Sequence, residues 1–193
     1  RIEFLFQREF EPERFYVHRV DPFILVGERH PQVSLPVIFG YYGELLPKLY
    51  ATFQREFGDP LELKPVRGLL PIVLYTRRES FEKWWMRAYG EMPPSAVPGA
   101  YSYMERRVGL YHDRNRNLSS ITSMEILLHE AIHQIVHFHY RERMSQDRPQ
   151  PWWFQEGLAT YFEGFKQNGR EIVIDPSATT SRLPAAKELV VGE

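Results

Sequence analysis

A chain of 193 residues that is 43% apolar and 15% aromatic has the material for one packed domain, and is neither a disordered tail nor a collagen. Its 24 basic and 25 acidic side chains leave a net charge of −1, a balance that does not call for nucleic acid or an anionic membrane as partner. With no cysteine the chain has no disulfide, no thiolate metal site and no thiol nucleophile, while the redox compartment stays open.

In chain order, Phe15 to Val20 and Phe23 to Val26 are short stretches rich in aromatic and β-branched residues, split by Asp21-Pro22, and read as strands. From Leu35 to Phe57 apolar residues fall at Ile38, Phe39, Tyr42, Leu45, Leu46, Leu49, Phe53 and Phe57. That is a helical stripe, with Pro47 as an expected kink or break and Gly58 as an expected cap. Leu69 to Tyr75 reads as a buried strand. Ser80 to Tyr89, with Phe81, Trp84, Trp85 and Ala88, reads as a short helix. Met92 to Gly99 holds three prolines and a glycine and must be a loop. Ala100 to Tyr111 reads as a strand or hairpin with a polar middle at Glu105-Arg106-Arg107, which, with Arg114 and Arg116 beyond it, is expected to be solvated. The strongest helix runs from about Ser120 to Tyr140, with Thr122 and Glu125 in a capping-box pattern and a stripe of Ile121, Met124, Leu127, Leu128, Ala131, Ile132, Ile135 and Val136. A polar loop from Arg141 to Gln150 leads to Pro151, which opens another helix ending near Gly164. Glu171 to Ile174 is a candidate short strand. No apolar run approaches the roughly 18 residues of a membrane-spanning helix.

The strongest helix contains His129-Glu130-Ala131-Ile132-His133. Histidines four apart lie on one helical face, so both imidazoles can reach one metal ion, and Glu130 stands beside it, placed to take a proton from a bound water without ligating. A catalytic zinc takes three protein ligands and keeps one position open. Glu156, a carboxylate in the otherwise apolar segment Trp152 to Phe162, offers the third, because metal coordination offsets the cost of burying it. Gly157 beside it would let another helix approach closely. Trp152-Trp153-Phe154 is expected to be core that locks this helix against the first. His137, one turn past His133, fits a solvated residue near a helix end better than a ligand. His18, His30, His112 and His139 have no partner pattern.

An HExxH helix followed some twenty residues later by Glu156-Gly157-Leu158-Ala159-Thr160-Tyr161-Phe162-Glu163 resembles the gluzincin branch of zinc metallopeptidases. Residues 129–133 and 151–163 are most similar to the bacterial DUF1570 family of the peptidase MA-like superfamily, whose own function is unassigned. The resemblance is sharp over about residues 120–165. It implies an α+β, zincin-like lobe in which a mixed twisted sheet packs on the HExxH helix. It implies zinc held by His129, His133 and Glu156, Glu130 as general base and later proton donor, and a peptide or protein substrate lying along an edge strand. Gly99-Ala100-Tyr101 and Val108 to Tyr111 are both candidates for that strand. The pattern departs from thermolysin-like gluzincins at Thr160, where an aspartate would orient a ligand histidine; Thr160 or Glu163 is left for that task. The phenol or imidazole that stabilises the oxyanion normally comes from further downstream, and Tyr161 is too close to the ligand to be assigned.

The expected organisation is a single domain over 1–193, with a sheet-containing part (1–117), the metal-site helices (118–165) and a partial C-terminal part (166–193). Thirty-seven residues after Glu156 are thin for the second lobe of a gluzincin, so the chain reads as a piece of a longer protein, with any targeting signal outside it. The alternative to a peptidase is a binding or scaffold module that retains the fold without turnover. Compartment and oligomeric state are not set by the sequence.

Overall fold

The computed structural model describes residues 10–60, 63–95, 97–112, 121–143, 152–168 and 171–175. Strands β1 (Phe15–Val20) and β2 (Phe23–Glu28) are followed by α1 (Leu35–Phe53), which runs into a wide π turn at Gln54–Gly58. Then come β3 (Leu70–Tyr75), α2 (Arg78–Tyr89), β4 (Gly99–Ser102), β5 (Arg107–Tyr111), α3 (Ile121–Arg143), α4 (Trp152–Glu163), β6 (Phe165–Asn168) and β7 (Glu171–Ile174).

The first five strands form one mixed sheet in the order β1-β2-β3-β5-β4. β2, β3 and β5 run parallel, and an antiparallel strand flanks them on each side. The α+β class with a mixed sheet is as expected, with four α-helices among the described residues. The register explains the continuous apolar runs of β2 and β3. Phe23, Leu25, Leu70, Ile72 and Leu74 face one core with Leu46, Leu49, Leu128, Ile132 and Phe162. The alternate residues Ile24, Val26, Val73 and Tyr75 face a second core with Phe81, Trp84 and Trp85. Period-2 alternation into apolar layers on both sides is what a parallel sheet covered on both faces requires. The sheet therefore separates α2 from a layer containing α1, α3 and α4.

Two local expectations change. α1 runs through Pro47 unbroken. A proline in a helix interior costs about 3 kcal/mol. Leu45, Leu46, Leu49 and Phe53 are all buried on either side of it, and at roughly 1.5–3 kcal/mol per buried side chain they outweigh that cost. Gly58 does not cap by a left-handed conformation. It sits in the π turn, where a Cβ would lie 1.9 Å from Gln54 Oε1, so the glycine makes room for that side chain. The left-handed cap occurs at Gly90 after α2, with φ of 78°. β6, which pairs with β7, has no counterpart in the expected elements. The Thr122 side chain of the capping box, Arg114 and Arg116 lie outside the described residues. No helix among the described residues is long and apolar enough to cross a membrane.

Candidate metal centre

Leu127, Leu128, Ala131, Ile132 and Ile135 are completely buried and press α3 onto the sheet. This fixes the rotation of the helix and leaves His129 and His133 on the flank that meets α4. α4 packs on α3, burying Leu158, Ala159 and Phe162. Glu156 and Glu163 are seven residues apart, two turns along one face of α4, and both reach the α3 histidines.

His129 Nε2 and His133 Nε2 are 3.0 Å apart. Glu156 Oε2 is 3.5 Å from the first and Oε1 is 3.2 Å from the second. Tetrahedral zinc with bonds of about 2.0–2.1 Å separates its donor atoms by about 3.3 Å, so the three spacings fit one ion. The donor set of two imidazole nitrogens and a carboxylate oxygen suits zinc. Glu163 Oε1 lies 2.6 Å from His129 Nδ1, and both side chains are buried. A carboxylate only accepts, so Nδ1 carries the proton and Nε2 presents its lone pair to the centre. Glu156 keeps a quarter of its side chain exposed, which leaves an open approach.

Glu130 is not one of the three converging residues. Its Oε2 accepts a hydrogen bond of 2.8 Å from the backbone N–H of Tyr101 in β4. Of the two segments considered for the edge strand, β4 holds the end of the sheet and β5 lies inside it. Gln134, next to His133, donates to Pro71 O at 2.9 Å and to Arg106 O at 3.2 Å. These bonds tie α3 both to β3 and to the β4–β5 turn. His137 is not in the cluster; its Nδ1 lies 2.5 Å from Tyr101 Oη, and the Tyr103 ring packs on it at 5.1 Å. Tyr103 Oη donates to Gln155 Oε1. Burial, and then the negative charges of Glu156 and Glu130, push the Tyr103 phenol up to about 12.

The structure thus brings together His129, His133 and Glu156 and sets Glu130 beside them on the sheet side. Of the two residues left open for orienting a ligand histidine, Glu163 makes the contact. Its signal in the sequence was a second carboxylate on the Glu156 face of an apolar helix. The contacts of Tyr103 with Gln155 and His137 had no signal in the sequence, because nothing in a hairpin turn reveals what it faces.

Three expectations are corrected. Trp152 and Trp153 are 69% and 73% exposed and Phe154 is 39% exposed. They lie in the first turn of α4, before the stretch from Leu158 that packs on α3, so they are not core. A Cβ at Gly157 would meet nothing within 4 Å, so no neighbouring helix uses that gap. Arg107 is buried rather than solvated. It pairs with Glu105 at 2.5 Å and lies over the Phe10 ring. Although burial works to raise the Glu105 pKa, its contacts with Arg87 and Arg107 win and hold it below the usual carboxylate value. No known protein family matches the chain, and no curated protein matches it either.

Proposed function

We propose that this chain is a zinc-dependent metallopeptidase of the gluzincin type, hydrolysing peptide bonds with Glu130 as general base. The observation that carries the proposal is the convergence of two imidazole nitrogens and one carboxylate, with a second carboxylate held just outside the cluster by a strand amide. A mixed sheet ending in an antiparallel strand beside the HExxH helix supports a zincin-like lobe.

His129, His133 and Glu156 would hold the ion, with Glu163 orienting His129. Bound zinc supplies a Lewis acid for the scissile carbonyl and brings the pKa of water toward about 7. Glu130 accepts a proton from the attacking water and passes it to the leaving amine. The Tyr101 N–H fixes Glu130 Oε2 for that exchange. β4, the end strand, gives an extended peptide a backbone to pair with next to the base.

Metal analysis of the purified chain tests the first half: near-stoichiometric zinc, or its uptake on addition, is expected, and the absence of both would overturn the reading. With a mixture of fluorogenic peptides as probe, Glu130→Gln should retain the metal and lose hydrolysis. Equal turnover in that variant would refute the assigned base. Full zinc occupancy with no cleavage of any peptide in the mixture would favour a binding or scaffold module instead.

A further inference from the structure

We propose that the hydrogen bond from Tyr103 to Gln155 is an autoinhibitory latch: it ties the β4–β5 turn to α4, and a peptide must break it to reach the metal cluster. The inference rests on the peptidase reading and adds a control on access to the same site.

The elements that the bond joins give it this place. β4 is the end strand, and its Tyr101 N–H holds Glu130. α4 carries the ligand Glu156. A peptide that lies along β4 with a carbonyl at the cluster therefore runs between β4 and α4, with one element as each wall. Tyr103 directly follows β4, and Gln155 directly precedes Glu156. Tyr103 Oη donates to Gln155 Oε1, so the two walls are joined beside the ligand. A small molecule need not part them, because Glu156 keeps a quarter of its side chain exposed.

One side of the latch is fixed and the other can yield. The Tyr103 ring packs at 5.0 Å on Tyr101 and at 5.1 Å on His137. The turn behind it is pinned, with Arg106 N donating to Ser102 O at 2.7 Å and Gln134 donating to Arg106 O at 3.2 Å. Gln155 stands in the first turn of α4, where Trp152, Trp153 and Phe154 are exposed, and the burial of α4 begins only at Leu158. Opening is thus a swing of Gln155 away from a stationary phenol.

The strength of the bond suits a latch. A neutral side-chain hydrogen bond contributes a net factor of about 2 to 12. That keeps most molecules closed, yet a peptide can displace it. A ligand that binds only the open form has its affinity lowered by the open fraction. Burial, with the charges of Glu156 and Glu130, holds the Tyr103 phenol at about 12, so it remains a donor at neutral pH. Access is set by peptide binding and not by ionisation of the phenol.

The test removes each end of the bond in the zinc-loaded chain. Tyr103→Phe keeps the ring and its packing, and Gln155→Ala keeps the helix. Each should raise kcat/KM for the fluorogenic peptide mixture about 2- to 12-fold, mainly through a lower KM. The double variant should gain no more than either single one, because both remove the same bond. A peptidyl hydroxamate, which fills the cleft, should gain affinity by the same factor. Acetohydroxamate, which reaches the metal without filling the cleft, should bind all four proteins equally. The hydroxamates need zinc but no turnover, so they also decide the case of a chain that binds metal without cleaving. Unchanged or weaker peptidyl hydroxamate binding in either single variant, a fall in kcat/KM, gains that add in the double variant, or an equal gain for acetohydroxamate would each overturn the latch and leave the peptidase reading standing. A wild-type chain that takes up no zinc would overturn that reading, and the latch with it.

Discussion

Glu163 shows how much one side chain contributes without touching the proposed metal. It fixes the ring and tautomer of His129 from a buried position. Such outer carboxylates raise the basicity of their histidine, and losing one typically costs about 10- to 100-fold in metal affinity. Glu163→Gln should therefore weaken zinc binding by that factor in a chelator-competition titration, while leaving Glu130 and the fold intact; equal affinity would show that Glu163 serves packing alone. At this scale the sequence was most legible where chemistry and helical period coincide. His129, His133 and Glu156 could be named because spacings of four on one helix and an isolated carboxylate on another have few other uses. The contacts of Tyr103 could not be read in this way, because its partners Gln155 and His137 lie 52 and 34 positions away, and no local period encodes that.

Two glycines separate elements that tolerate change from those that do not. Gly109, in the middle of β5, lies under the Trp84 ring, where a Cβ would come within 2.3 Å of Cζ3. That ring is buried and is held by its Nε1, which donates to Glu105 Oε2 at 2.9 Å, so it cannot step aside. Gly109→Ala should destabilise by about 1–3 kcal/mol. Gly157, on α4, has open space instead, and Gly157→Ala should stabilise by about 0.5–1 kcal/mol through helix propensity. Chemical denaturation of both variants checks the opposite signs. The same contrast marks what was legible among the elements. Strands and helices followed from period and from runs of apolar residues. The exposed first turn of α4 did not, because an apolar triplet at a helix start looks the same whether or not another element covers it.

Across the molecule, Glu28 ties the sheet to the helix on its far side. It stands at the end of β2, completely buried. It accepts hydrogen bonds from Thr76 N (3.1 Å), Arg77 N (3.0 Å), Arg77 Nη1 (2.7 Å) and Ser80 Oγ (2.7 Å), at the junction of β3 and α2. Burial alone would raise its pKa, but these donors outweigh burial and hold it below the usual 4.5. The stabilisation from this carboxylate is therefore complete above pH 4.5 and is lost as pH falls through the lower folded-state value. Glu28→Gln should cost about 2 kcal/mol at neutral pH and flatten the acid limb of the stability curve. An unfolding series from pH 7 to pH 3 on both proteins measures this, and parallel acid limbs would assign the acid sensitivity to other groups.

The four tryptophans divide into two optical populations. Trp84 and Trp85 are sealed beneath the sheet, at 2% and 7% exposure, whereas Trp152 and Trp153 stand in solvent at the start of the helix that carries Glu156. Intrinsic fluorescence therefore contains a blue component reporting on the α2 side of the sheet and a red, quencher-accessible component reporting on the end of α4. Selective acrylamide quenching reads the two separately in the unlabelled chain, so events at the α4 end can be followed apart from unfolding of the core.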